Sequence, residues 1–285
     1  VSYLKLLRPK QFVKNLLILA VPVSAGQIFE IEILAITSLA IILFSLSSAG
    51  IYIINDLLDK ELDRKHTKKR NRPIASGQVK ENLSLAIAVL LIISSLTLSY
   101  LFISTNFFLL LVIYFLIQFF YFFKGKELHT IEIFIVASGF VLRALAGGVS
   151  TGISITPWFN VLVATTAIFI VGAKRYSEFL NSVNFETRVV LKFYSASYLR
   201  TIWESALTAS IILYTLWTFN SSSTGFDNYS LLSIIPFSLV LFLYAKKTDV
   251  NNAEAPEEII YNDKTILVLS IIWFLVILIR GSQLN

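Results

Sequence analysis

Three carboxylates recur at helical spacing in Asn55-Asp56-Leu57-Leu58-Asp59-Lys60-Glu61-Leu62-Asp63, directly after a long uncharged run. If the helix continues past Asn55, the 3.6-residue period brings Asp56, Asp59 and Asp63 within about 60° of arc. Like charges that close repel unless a cation lies among them, and hard oxygen donors without His or Cys suit Mg²⁺. Mg²⁺ keeps several waters and favours substrate phosphates, so the implied ligand is a diphosphate. The adjoining Arg and Lys residues, Lys69 and Arg72 among them, would screen its remaining charge. A merely solvated charge run is the competing reading. Against it, the acids keep the helix period where Asn55 and Asp56 approach hydrocarbon, a costly place for charge.

The elements that must position these groups are membrane spans. A chain of 285 residues with 56% hydrophobic and 15% charged residues is not a soluble globular protein, and a mean hydropathy of +0.74 places it in a bilayer. The absence of Cys removes disulfides, thiolate metal sites and Cys nucleophiles, and two histidines, His66 and His129, are too few for a His-built zinc or haem site. A span needs roughly 20 mostly apolar residues. By that measure nine are expected, in one all-α domain over residues 1–285. They are Asn15 to Phe29, Ile33 to Asn55, two within Asn82 to Phe123 with a bend at Ser104-Thr105-Asn106, Thr130 to Val149, Pro157 to about Gly172, Ser205 to Phe219, Tyr229 to Ala245, and Thr265 to Ile279. Gly147, Gly148 and Gly152 close the fifth, and Pro157 suits the first turn of the sixth.

Charge placement tests this division. Of the 24 Lys and Arg residues, 22 fall before the first span or in alternate loops, and the loops near Glu30, Asn106, Thr151 and Ser221 hold none. Lys and Arg collect on the cytoplasmic side, so the N-terminus and the aspartate-rich loop are expected there. The +6 net charge is mostly this topology signal, and nucleic-acid binding is a poor use for bases scattered among carboxylates. Arg143, inside the fifth span, and Arg280 are the exceptions. A cation inside a span costs roughly 2.5 to 3.5 kcal/mol on insertion scales, so Arg143 should face the bundle interior and have a partner. That partner is either a substrate phosphate or an internal carboxylate such as Glu132 or Glu178.

With these residues in view, Asn55-Asp56-x-x-Asp59-x-x-x-Asp63 resembles the first aspartate-rich motif of the UbiA-type intramembrane prenyltransferases. The likeness extends to one branch, the decaprenyl-phosphate phosphoribosyltransferases. It is carried by Leu7-Arg8-Pro9-Lys10-Gln11-Phe12-Val13-Lys14-Asn15, by His66-x-x-Lys69-x-x-Arg72-Pro73-Ile74-Ala75-Ser76-Gly77, and by Val141-Leu142-Arg143-Ala144-Leu145-Ala146-Gly147-Gly148. Lys174-Arg175-Tyr176-Ser177-Glu178, Tyr194 to Arg200 and Ala255-Pro256-Glu257-Glu258 continue it. Ordinary members carry a second aspartate motif after the sixth span, for a second Mg²⁺. Here Lys174 to Glu186 contains no Asp, and two cations with one carboxylate on neighbouring turns suit an anionic sugar phosphate better. Lys174 and Arg175 as anchors snorkelling to the lipid surface is the alternative. Lys126 matches a family Lys, while Glu132 stands where Asp is usual.

The resemblance implies nine helices around a central cavity, with the loops near 55–82 and 173–203 capping it. It also implies transfer of a 5-phosphoribosyl group from phosphoribosyl diphosphate to a long-chain polyprenyl phosphate, feeding arabinose donors for cell-envelope polymers. Asp56, Asp59 and Asp63 would hold Mg²⁺, with Asn55 beside them. Lys14, Lys69, Arg72, Lys126, Arg143, Lys174, Arg175, Tyr176 and Glu178 would bind substrates. A prenyl diphosphate:acceptor transferase of the same fold is the alternative that the Asp-free second motif argues against. A transporter should spread ionisable residues through several spans, and a scaffold leaves three aspartates unexplained. Whether the chain forms a homo-oligomer stays open.

Overall fold

A computed structural model describes residues 2–65, 69–181, 189–220, 228–250, 253 and 256–284. Among these there are helices and no strands. In chain order they are α1 (Ser2–Leu6), a 3-10 stretch (Pro9–Leu19), α2 (Ala20–Ser24), α3 (Ile31–Leu58), α4 (Lys60–Lys65), α5 (Glu81–Phe102), α6 (Thr105–Phe123) and α7 (Ile131–Thr151). Then follow α8 (Pro157–Asn181), α9 (Ala196–Asn220), α10 (Asn228–Asp249), α11 (Pro256–Asn262) and α12 (Lys264–Leu284). Short 3-10 turns at Lys69–Asn71, Gly125–Glu127 and Val189–Phe193 fill three connections.

Seven of the described helices, α3, α5, α6, α7, α8, α10 and α12, are long and apolar enough to cross a membrane. Two of the nine expected spans fall outside that set. The first expected span, 15–29, is a 3-10 stretch that runs directly into the five-residue α2 and ends at Ser24, so no single long α-helix forms there. The seventh lies within α9, which is 25 residues long but carries Arg200 and Glu204 in its first turns. Boundaries elsewhere follow local chemistry. Ser104 accepts a hydrogen bond from the Phe107 amide at 3.1 Å and starts α6 at the expected bend. Thr156 does the same for Phe159 at 3.3 Å, with Pro157 in the first turn of α8. Asp263 caps α12 by accepting from the Thr265 and Ile266 amides at 3.0 and 3.2 Å. Hydrogen bonds from Lys247 and the Ile266 amide hold its carboxyl below the usual carboxylate range.

Packing inverts the pattern of a soluble protein. On α5 the small residues Ser84, Ala88, Ser95 and Ser99 are buried, while Leu90, Ile93 and Leu101 are exposed. Small residues let helices approach where lipid supplies no hydrophobic drive between them. Ser47 of α3 donates to Ser95 at 2.8 Å across that seam. The hub is α7, against which the first 3-10 stretch, α2, α3, α6 and α8 all pack. Its glycines make this approach feasible: a Cβ at Gly147 would lie 2.2 Å from the Ile18 carbonyl oxygen. Gly152, at φ +76°, ends the helix in the left-handed region.

The two glycines separate two effects. Gly147→Ala should lower the thermal midpoint in detergent more than Gly152→Ala. The latter meets no atom within 4 Å and bears only the left-handed backbone cost of about 1 to 2 kcal/mol. Equal shifts would show that the 3-10 stretch is not seated on α7 as described.

Candidate active site

The aspartates sit where α3 gives way to α4. Asp56 is in the last turn of α3 and 3% exposed; Asp63 is in α4 and 4% exposed. Asp59 breaks the helix between them, with φ −90° and ψ 5°, although its amide still donates to the Asn55 carbonyl at 2.9 Å. The expected single face of three acids is thereby divided. Asp56 and Asp63 converge on one guanidinium nitrogen, Arg72 Nη1, at 3.0 Å from Asp56 Oδ1 and 2.6 Å from Asp63 Oδ2. Asp59 turns instead to Lys126, whose Nζ donates to both carboxylate oxygens at 2.7 and 2.9 Å. Arg8 gives Asp56 a second cation.

Local sequence explains how Arg72 reaches back. Its amide donates to the Lys69 carbonyl at 2.9 Å, and its own carbonyl accepts from the Ser76 amide and hydroxyl at 2.9 and 2.8 Å. Ile74 and Val79 pack with Leu6, Ile53 and Ala88, and Arg64 donates to the Ala75 carbonyl at 3.1 Å. The loop therefore folds onto α3 and α4 by burying apolar side chains, and its cation is delivered to the carboxylates. His66, in the same matched stretch, lies outside the described residues.

Among the described residues no three His, Cys, Asp or Glu side chains are grouped closely enough to hold a metal ion. The donor set still fits a hard cation. Two buried carboxylates already meet at one positive nitrogen, every available donor is oxygen, and Mg²⁺ characteristically takes one or two carboxylates and completes its shell with water and phosphate.

The second motif lies on α8, which runs nine residues past Gly172 to Asn181. Arg175 is 2% exposed. Its Nε and Nη2 donate to the two oxygens of Glu132 at 2.6 and 2.9 Å, and Nη1 donates to Glu178 Oε2 at 2.7 Å. Glu132 and Glu178 are thus the partners of Arg175, not of Arg143. Lys174 Nζ lies 4.0 Å from Glu178 Oε1. The Tyr176 hydroxyl faces α9, where it accepts from Arg200 Nη2 at 2.8 Å. Glu186 and Arg188 lie outside the described residues, as does Ala255.

Arg143 is 5% exposed and holds the bundle together through neutral partners. It donates to Asn15 Oδ1 at 2.7 Å, to the Gly139 carbonyl at 2.6 Å and to Ser48 at 3.2 Å, and lies 4.9 Å from the centroid of the Phe44 ring. Its partner Ser48 is two turns and more from Asp56 on α3, about 12 Å along the axis. Arg143 therefore rivets the first 3-10 stretch to α3 and α7, below the carboxylates. The three-residue period of that stretch stacks Asn15 and Ile18 inward and lets Lys14 donate to Gln11 on another face.

Sequence reasoning missed three contributors. Arg8 lay in a matched stretch and among the N-terminal charges but not among the expected site residues, yet it takes a left-handed backbone (φ 51°, ψ 58°) that sends its side chain over the Tyr52 ring to Asp56. Its one signal is an Arg placed directly before a Pro at the membrane surface. Asn15 is fully buried, and a lone amide opening an apolar run was the available hint. Thr130, at φ 66°, forms a γ-turn in which the Ile131 amide bonds the His129 carbonyl at 2.8 Å. The Tyr194 hydroxyl accepts from the Thr130 amide at 2.7 Å, and burial pushes that hydroxyl up to about 12, so it stays neutral. This strained start sets the direction from which Glu132, two residues on, meets Arg175.

Residues 16–279 match the UbiA prenyltransferase family, and the chain belongs to it. With its apolar helices, that makes it an integral membrane protein. A decaprenyl-phosphate phosphoribosyltransferase of Corynebacterium glutamicum is 38% identical over 279 residues, covering 95% of this chain and 83% of the relative. The Mycobacterium tuberculosis protein of the same name is 36% identical over 275 residues, covering 94% and 90%. A UbiA homolog from Archaeoglobus fulgidus, solved bound to DMAPP and Mg²⁺, matches all of both chains with a TM-score of 0.75 at 19% identity, so the fold is shared.

The Arg175 cluster makes its own prediction. Glu132→Ala should strip a buried guanidinium of its bidentate partner and destabilise by about 3 to 5 kcal/mol. Glu132→Gln combined with Arg175→Met should recover most of that loss in a detergent melt. Additive losses in the double variant would contradict the pairing.

Proposed function

We propose that this chain transfers a 5-phosphoribosyl group from phosphoribosyl diphosphate to the phosphate of a long-chain polyprenyl phosphate, releasing diphosphate at the cytoplasmic face. The observation that carries the reading is the state of the second motif. Glu132 and Glu178 both accept from Arg175, whose side chain is 2% exposed, so a second metal, as a prenyl diphosphate enzyme of this fold would use, would have to displace a buried cation. Arg8, Arg72 and Lys126 at the first motif are by contrast 23 to 28% exposed. The names of the curated relatives agree with this reading over nearly the whole chain.

Asp56 and Asp63, with Asp59 beside them, would hold Mg²⁺, which supplies Lewis-acid neutralisation of the departing diphosphate. Arg72, Arg8 and Lys126 already lie against those carboxylates and are placed to turn to diphosphate oxygens as they bind. Lys69, Lys14 and Asn55 would join them in holding substrate phosphate and sugar oxygens. The bond from the anomeric carbon to the diphosphate oxygen breaks, and a bond from that carbon to the lipid phosphate oxygen forms. The nucleophile is already an anion, so no strong base is required of the chain. The tail of the lipid would leave between the apolar helices, which is why a water-soluble donor is handled by a membrane protein.

The test offers radiolabelled phosphoribosyl diphosphate with a polyprenyl phosphate and Mg²⁺ in detergent, beside a prenyl diphosphate with aromatic acceptors. Label should enter the lipid phase and stop doing so on chelation of Mg²⁺. Asp56→Ala and Asp59→Ala should each lower turnover by at least about 100-fold, as loss of charge stabilisation at a leaving group does, with the protein still folded. Consumption of the prenyl diphosphate with label left in water would overturn the assignment.

A further inference from the structure

A pocket of about 440 Å³ opens between the 3-10 turn Val189–Phe193, the connection from α6 to α7 and the start of α9. Val190 and Leu191 are buried in the core shared with α8 and α9, and the next two side chains, Lys192 and Phe193, are turned outward. The Phe193 ring stacks on His129 with centroids 4.6 Å apart, and Tyr194 stacks on Tyr198 at 6.0 Å, so two ring pairs line the pocket.

Its unspent polar groups are donors. Among the described residues, neither the Lys192 ammonium nor the His129 ring has a hydrogen-bond or ion-pair partner. The Thr130 and Tyr198 hydroxyls share one hydrogen bond at 2.8 Å, so one of their two protons is left for a ligand. No Asp or Glu among the described residues lines the pocket. An ammonium, an imidazole N–H and a hydroxyl lining one pocket without a carboxylate suit a phosphate.

The rim selects the source of that phosphate. Phe193 is 62% exposed, Ile131 beside Thr130 is 52% exposed, and Phe134 points outward one turn further along the membrane-spanning α7. Exposed rings and aliphatic side chains around a lysine mark headgroup level, where aromatic residues sit at the interface and Lys meets the anionic lipid surface. A water-borne anion would gain nothing from them. We propose that this pocket holds the phosphate of an anionic phospholipid, with its acyl chains lying along Ile131 and Phe134. The lipid is neither donor nor acceptor in the proposed transfer; by engaging Thr130 it braces the start of α7.

The test titrates the delipidated full chain in detergent with phosphatidylglycerol or phosphatidylcholine and counts bound lipid by native mass spectrometry. The native protein should hold phosphatidylglycerol at least about 5-fold more tightly, the discrimination that one lysine near a membrane surface supplies. Lys192→Ala should bring the two lipids within about 2-fold. Lys80→Ala, which removes another exposed lysine on the same face at the start of α5, should leave the preference intact. Equal retention of the two lipids by the native protein overturns the proposal. An equal loss in Lys80→Ala does so too, since the attraction would then be one of general surface charge. Displacement of phosphatidylglycerol by millimolar inorganic phosphate would make the pocket a site for soluble anions, and displacement by equimolar polyprenyl phosphate would assign it to the acceptor; either result overturns the proposal.

Discussion

Two buried carboxylates that share one cation organise this protein. Asp56 and Asp63 come from different helices, and neither charge is tolerable at a membrane surface without compensation. Arg72 and Arg8 supply it from two other segments, so the site exists only when α3, α4, the loop through Arg72 and the N-terminal stretch are all in place. The same cations suit a diphosphate once it arrives. The ligand-free arrangement is thus a charge-neutral store of the groups that binding requires, and stability and function draw on the same residues.

Beneath this surface layer the bundle is held by neutral hydrogen bonds and close helix approach. Arg143 needs no carboxylate because Asn15, Ser48 and a carbonyl occupy its donors and aromatic rings flank it. At the α7–α8 boundary the opposite solution is used, with Arg175 matched to two acids.

Much of this was legible in the residues. Charge-free runs and alternating Lys and Arg located most spans, and Ser104 and Pro157 marked helix starts that the capping bonds now explain. The acid spacing pointed to Asp56, Asp59 and Asp63, of which the structure brings Asp56 and Asp63 onto one guanidinium. What was not legible depends on tertiary partners. The helix period could not reveal the break at Asp59, because that residue's conformation goes with its turn toward Lys126 on another connection. Charge inside a span announced that Arg143 had a partner but not that it was Asn15, 128 residues away. The first span read as a helix because its composition is apolar, while close seating on α7 at Gly147 accompanies a 3-10 path.

The most direct measurement is a structure of the chain with Mg²⁺ and phosphoribosyl diphosphate bound. The account predicts the Arg72 guanidinium moved off Asp56 and Asp63 onto diphosphate oxygens, and Arg175 still paired with Glu132. A diphosphate seated elsewhere, with Arg72 still bridging the two aspartates, would contradict it.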